Sequence, residues 1–290
     1  TENHRMAVMT GVDKFEWIEA KNLQAGDSLG TSRLAIKGCK QRLPEIPYEY
    51  CEINNNCKDI ILPELDANIG WLIGVIQANG YIYINEGNSS GGDSVNIEFN
   101  NNDEEVLNKT IEQLKRFGVN PTIYKSKVQN SSRLSVYSKI LARYFFIYVK
   151  TPKTEIEIPS FIKNSEVDIR LGYLAGLLDT DGSVKHTPVR LLTTQYESFM
   201  LEVQNLCYSC GIETRIDKYN TYDKCFNLNI ISSYSKEILS NFSCKSLPIG
   251  NRDVYSNVYK QEWLFGYSHW NPSTSGGKNR EVSVRRFSEI

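Results

Sequence analysis

No run of eighteen or more apolar residues occurs in the chain, which excludes a membrane-spanning helix on hydropathy alone. The opening Thr1-Glu2-Asn3-His4 has neither the basic start nor the apolar stretch of a signal peptide. An intracellular protein with no membrane partner is therefore expected. Excess positive charge is missing too: 33 Lys and Arg stand against 34 Asp and Glu, a formal charge of -1. That balance excludes coating of nucleic acid by bulk charge, because counterion release needs cations facing phosphates, so any such binding must come from local placement. The segment 245–290 is locally basic, with Lys245, Arg252, Lys260, Lys278, Arg280, Arg285 and Arg286 against Asp253, Glu262, Glu281 and Glu289. Alone it reads as a solvated tail. A paired metal-ligand pattern is also lacking. The seven cysteines form an odd set, and the CxxC pair Cys207 and Cys210 has no second pair at zinc spacing, so buried reduced thiols are expected.

What the chain does have is size and repetition. At 290 residues and 40% hydrophobic content it can bury the cores of two or three domains. Residues 65–80 read LDANIGWLIGVIQANG and residues 167–182 read VDIRLGYLAGLLDTDG, with Gly70, Gly74 and Gly80 matched by Gly172, Gly176 and Gly182 at one offset of 102 residues. Each copy continues alike. After the first helix come strands at 80–84 and 95–99, a helix over 103–117 closed by Gly118, strands at 122–128 and 133–137, and a helix over 139–148. The second copy predicts strands at 183–186 and 189–194, a helix over 196–210 closed by Gly211, strands at 213–219 and 226–231, and a helix over 235–242. The longer first copy carries its surplus in the glycine- and serine-rich turn 86–92. Two αββαββα units follow.

Gly74 and Ala78 share one helix face, as do Gly176 and Thr180, and small residues at that spacing let two backbones approach closely. If the two helices cross there, Asn79 and Asp181 emerge side by side at their C-terminal ends. A single GxxxG would be ordinary packing. Two copies followed by the same element order point to a built pseudo-two-fold.

Leu174-Ala175-Gly176-Leu177-Leu178-Asp179-Thr180-Asp181-Gly182 closely resembles the motif for which the LAGLIDADG homing endonucleases are named, and Ile158-Pro159-Ser160-Phe161-Ile162 is similar to the IPxFI stretch of intein-borne members. The resemblance covers about 65–245. It implies an α+β fold with two pseudo-symmetric domains whose saddle-shaped antiparallel sheets lie in the DNA major groove. It also implies catalytic Mg2+ (or Mn2+) held at the acidic residue before the last motif glycine, a duplex site of roughly twenty base pairs and a monomer. Asp181 fits the metal and catalytic position; Asn79 stands where the first copy should carry its acid, either a natural loss or an introduced one. A lysine accompanies each site in this family. The expected position, three residues before the proline of IPxFI, is Ile156 here, which leaves Lys153 and Lys150 as nearest substitutes and Lys245 as the second candidate.

DNA contacts are expected from the outward strand faces. Alternation puts Val95, Ile97, Phe99, Leu134 and Val136 inside, and Asn96, Glu98, Asn100, Arg133, Ser135 and Tyr137 outside. In the second copy Phe226, Leu228 and Ile230 point in, with Asn227 and Asn229 out. Tyr81, Tyr83, Lys125, Lys127, Lys185, Arg190 and Arg215 supplement these faces.

The flanks resemble a partial splicing domain of the all-β Hint type. Thr1 and His4 match the TxxH block of inteins, and Trp17, Ala20, Leu23, Gly26 and Asp27 match the W-x-x-A-x-x-L-x-x-G-D spacing that follows it. Without a nucleophile block or a terminal His-Asn pair, no splicing is expected of the chain as given. The expected organisation is a splicing-type segment and connector over 1–62, repeats over 63–150 and 165–245 joined by a linker over 151–164, and an extension over 246–290. Function stays open between a sequence-specific double-stranded DNA endonuclease, weakened or reduced to nicking by Asn79, and a non-cleaving nucleic-acid binder of maturase-like or decayed-nuclease type. A splicing-element fragment is the third alternative.

Overall fold

The computed structural model describes residues 2–11, 14–24, 27–32, 35–47, 60–85, 92–100, 103–125, 130–152, 154–185, 188–220, 224–248, 264–269 and 285–286. The chain divides into two compact units, one of residues 1–35 and 251–290, the other of residues 36–250.

The smaller unit is an antiparallel sheet. Its strands β1 (Arg5–Gly11), β2 (Lys14–Glu19) and β3 (Ser28–Ser32) are joined by two later ones, Leu264–His269 and Arg285–Arg286, with Leu264–His269 paired to β3. Two strands from the expected extension over 246–290, Leu264–His269 and Arg285–Arg286, thus complete the sheet begun by the N-terminal residues.

The larger unit holds both repeats. Helix α1 (Ala67–Asn79) starts at Asp66, whose carboxylate accepts from Ile69 N at 2.9 Å as an N-cap, and every residue from Ile69 to Gln77 is buried. A helix apolar on all sides belongs inside a core. Strands β4 (Gly80–Tyr83), β5 (Ser94–Asn100), β6 (Thr122–Lys125) and β7 (Ser131–Val136) form a sheet in the order β4-β5-β7-β6, backed by α1 and α3 (Lys139–Tyr148), while α2 (Glu104–Lys115) packs against α1. Gly118, at φ 75°, turns the chain out of α2, and Gly211 does the same at the matching place in the second repeat.

A short helix α4 (Ser160–Lys163) buries Phe161 and Ile162 and leads into α5 (Val167–Thr180). The second repeat continues with β8 (Val189–Thr194), α6 (Glu197–Ser209), β9 (Thr214–Asn220), β10 (Cys225–Ile230) and α7 (Ser233–Ser240). Its sheet has three strands, β8-β10-β9, where four were expected. The strand expected at 183–186 is reduced to one bridge between Ser183 and Arg190, because Pro188 lacks the N–H that would extend the ladder.

Among the described residues, helices α1 and α5 form the largest helix contact. A Cβ on Gly74 would lie 2.3 Å from Tyr173 O, and one on Gly176 would lie 2.1 Å from Trp71 O. Gly70 and Gly172 meet Ile169 O and Ala67 O in the same way, so the close approach runs through glycines toward the helix starts. Ala78 is only partly buried, and the Thr180 hydroxyl donates to Gly176 O of its own helix at 2.8 Å.

A strap over 36–47 ties the repeats together. Ile36 N donates to Ser209 O in the second repeat at 2.8 Å, and Cys39 N to Asn164 O, the linker residue just before that repeat, at 3.0 Å. Tyr144 and Tyr148, in the first, donate to Pro44 O and Glu45 O, at 3.0 and 3.3 Å. Leu43 is buried in the shared core, and Gly38 sits so tightly on Ser165 that a Cβ would lie 1.8 Å from its carbonyl oxygen. Cys207 and Cys210 are free and buried; Cys39, also free, is exposed, and Cys51 and Cys57 lie outside the described residues. Among the described residues no helix is long and apolar enough to cross a membrane.

Candidate active site and DNA-facing surface

Asp181 caps α5, its N–H bonded to Leu177 O at 2.9 Å. Burial pushes its carboxyl up to about 6, and the charges of Lys150 and Lys245 pull it back down. Lys150 follows α3 of the first repeat and donates to Gln77 O at 2.7 Å, in the last turn of α1. Burial lowers its proton affinity, partly offset by the Asp181 charge. Lys245 follows α7 of the second repeat and donates to Leu178 O and Gly182 O at 3.3 and 3.2 Å. Both ammonium groups therefore sit on carbonyls at a helix C-terminal end, where the dipole favours a cation, and both reach the field of one carboxylate.

Asn79 ends α1. Its Nδ2 donates to Glu98 O at 3.2 Å, leaving the side-chain carbonyl as the atom a cation would use. Among the described residues no cluster of three or more His, Cys, Asp or Glu is placed to hold a metal ion. Lys153 lies outside the described residues, and Lys150 takes the place beside the motif ends.

From Asn79 a trough of about 740 Å³ opens onto the outer face of the first sheet, lined by Tyr81, Tyr83, Asn96, Glu98, Asn100 and Arg133 among others. Strand register builds that face in rows. Tyr81, Asn96, Ser135 and Thr122 form one; Glu98, Arg133 and Tyr124 form the next. Glu98, Asn100, Lys125 and Arg133 are exposed, as are Tyr81 and Tyr137, and the Arg133 guanidinium lies 5.3 Å from the Tyr124 ring centre. Ser135 departs from expectation. It is fully buried in the middle of its row and donates to Asn96 Oδ1 at 2.7 Å, so it positions Asn96 instead of facing outward. Lys127 lies outside the described residues.

On the second sheet Lys185 and Arg215 are exposed, Arg190 is half-buried, and Asn227 accepts from Thr193 Oγ1 at 2.9 Å. Asn229 also departs from expectation. It stands between Arg190 and Arg215 on the central strand, buried, and donates to Asp217 Oδ2 at 2.7 Å. Pairing skips Leu191 here, a bulge that buries both Leu191 and Leu192 and breaks the simple alternation. His4 is exposed in the smaller unit, its carbonyl accepting from Ala20 N at 2.7 Å; Thr1 lies outside the described residues.

The sequence reading gave no role to Gln77 and Asp179. They are buried polar positions at the same offset as the motif glycines, and that coincidence was the signal available.

The family profile described as the LAGLIDADG-like domain matches residues 66–149 and 168–241, more than half of the chain and one match on each repeat. The chain belongs to the LAGLIDADG-like family. Among curated relatives, a DNA polymerase of Thermococcus litoralis is 26% identical over 233 residues, covering 72% of this chain. The replication factor C small subunit of Methanocaldococcus jannaschii is 22% identical over 208 residues, covering 68%. The alignments span only 13% and 11% of those two proteins. A crystal structure of I-DmoI in complex with DNA and Mn shows 16% identity and a TM-score of 0.47, covering 63% of this chain and 100% of that one. The homing endonuclease I-WcaI bound to its DNA recognition sequence shows 18% and 0.44, covering 64% and 83%. Membership of the LAGLIDADG-like family rests on the profile match to both repeats.

Proposed function

We propose that this protein is a sequence-specific double-stranded DNA endonuclease that acts as a monomer with a divalent metal, Mg2+ or Mn2+. The observation that carries the reading is the meeting of one strained carboxylate, Asp181, with Lys150 and Lys245, delivered from two repeats to the paired motif-helix ends. DNA-bound I-WcaI and metal-bound I-DmoI are the solved proteins whose chemistry supports it by likeness.

The donor set fits Mg2+, which is usually held by one or two carboxylates together with waters and substrate phosphates. Asp181 and the Asn79 carbonyl would hold it, and the bound ion would neutralise phosphate charge and acidify a water. Lys150 and Lys245 hold positive charge where a scissile phosphate gains negative charge. Half-burial of Asp181 keeps competing solvent away and makes its negative charge costly until a cation or lysine offsets it. The outer rows of the two sheets present amide, guanidinium and phenol groups suited to base edges and phosphates.

With Asn79 neutral, only one of the two motif ends carries a full charge, so the expected reaction is nicking of one strand in preference to double-strand cleavage. That same residue favours a second reading, a non-cleaving nucleic-acid binder of maturase-like or decayed-nuclease type. The intein-associated origin belongs to the first reading. Its supports are the TxxH and W-x-x-A-x-x-L-x-x-G-D spacings and the short share of each polymerase-type relative that aligns. Selection from randomised duplexes with Mg2+, scoring retention and strand scission separately, tests the choice. Retention of one sequence with metal-dependent scission supports the endonuclease, and retention without scission in Mg2+ or Mn2+ supports the binder.

A further inference from the structure

We infer that Gln77 and Asp179 are positioning residues that set where Lys150 and Lys245 stand, and that each is joined to the opposite repeat by a crossed hydrogen bond through the helix pair. The inference rests on the endonuclease reading for its catalytic meaning and on hydrogen-bond geometry for its substance.

Both side chains are buried near the C-terminal ends of helices whose remaining buried positions, apart from Arg170, are apolar, and buried polar groups are as a rule held by hydrogen-bond partners. Gln77 Nε2 donates to Val149 O at 2.7 Å and to Glu157 O at 2.8 Å, which pins the chain immediately before Lys150. Its Oε1 accepts from Tyr173 Oη of the other motif helix. Asp179 works with the opposite polarity. It accepts from Ser243 Oγ, from Cys244 N at 2.8 Å and from Lys245 N at 3.3 Å, pinning the segment that carries Lys245, and it accepts Trp71 Nε1 of the other helix at 2.8 Å.

Trp71 and Tyr173 are equivalent positions of the two repeats, as are Gln77 and Asp179. The first segment offers carbonyls and meets an amide; the second offers N–H groups and meets a carboxylate. Each lysine is thus placed by a residue two positions before a motif end, and that residue is itself held by the other half. A simple buttress would need neither the crossed donor nor the match of polarity to each segment.

The test uses the full chain without metal or DNA, and reads the rate of Lys245 acetylation by peptide mass spectrometry against exposed Lys125. In Asp179→Asn an amide N–H replaces one acceptor and faces N–H donors. Lys245 should then label roughly tenfold faster, the scale set by losing a charge-assisted hydrogen bond, while the remote core variant Val203→Ala leaves it unchanged. An unchanged Lys245 rate in folded Asp179→Asn overturns the inference. Should that variant fail to fold, Ser243→Ala and Trp71→Phe each remove a single donor; faster labelling of Lys245 in either supports the inference, and no change in both overturns it. On a selected duplex, Asp179→Asn should lower kcat with little change in KM, and its loss should be non-additive with that of Lys245→Met, whereas additive losses count against it. Absence of scission by the parent chain would sink the endonuclease reading alone, since labelling still decides the positioning.

Discussion

Gly74 and Gly176 face each other's helices so closely that neither has room for a methyl group: the nearest obstacles are Tyr173 O at 2.3 Å and Trp71 O at 2.1 Å, both backbone. Backbone cannot swing aside as a side chain does. Gly176→Ala should therefore destabilise the chain by about 2–3 kcal/mol or more, while Gly92→Ala, with nothing within 4 Å, should stay within about 0.5 kcal/mol. Urea denaturation of the two variants checks the contrast, and equal midpoints would remove the helix pair as the architectural centre.

Asn79→Asp returns a carboxylate to the first motif end, in the same last turn of α1 whose Gln77 carbonyl accepts from Lys150. Conversion of supercoiled plasmid carrying the selected site should then shift from nicked to linear product. The rate gain should be roughly a hundredfold or more, the scale of a recovered metal ligand. Unchanged product in Mg2+ and Mn2+, with DNA binding intact, would favour the non-cleaving binder.

Asp181 gives a pH signature with a definite sign. Its folded-state value of about 6 lies above the ordinary 3.8, so between those values the folded chain holds more protons and stability falls as pH rises. Above about 6 the full cost of the buried charge is present. Asp181→Asn should stabilise the metal-free protein at pH 8 by about 1–2 kcal/mol, solvent screening at a partly exposed group keeping the gain modest, and the gain should vanish near pH 4. Thermal melts across that range read it. The same substitution should abolish scission, and scission by the parent should rise between pH 5 and pH 7 as the carboxylate loses its proton.

DNA affinity should be sequence-selective and salt-steep. Lys125→Ala should weaken all duplexes alike and lower the slope of log K against log salt by about one, whereas Arg133→Ala should cost about 1–3 kcal/mol mainly on the selected sequence. Fluorescence anisotropy from low to moderate salt separates the two, and equal affinity of the parent for unrelated duplexes would contradict groove reading.

The architecture was legible because its signals were backbone signals: paired glycines at one offset, left-handed turns at Gly118 and Gly211, and alternation along β5 and β7. What escaped depends on neighbours in space. Ser135 and Asn229 follow the polar alternation of their strands, yet each sits on a central strand, is buried and bonds a neighbouring strand's side chain. Lys150 and Lys153 both lie near the IPxFI stretch in sequence, but the place of Lys150 at the motif end is set by where Gln77 pins the chain, a contact across 72 residues. Among the described residues, the single Ser183–Arg190 bridge in place of a strand turns on Pro188, which cannot donate to a ladder.

The strap over 36–47 adds a second tie between halves already joined by the crossing of α1 and α5, anchored at Ser209 and Asn164 on one side and at Tyr144 and Tyr148 on the other. Two separate ties resist a twisting that a single contact would permit. On duplex DNA that rigidity becomes a matter of phase. One base pair inserted at the centre of a site moves its far half by about 3.4 Å and rotates it by about 35° around the helix axis, and halves locked in this way have no compliance to follow. On the endonuclease reading, the spacing between half-sites should then be read as strictly as the bases within them, by a segment that itself belongs to neither repeat.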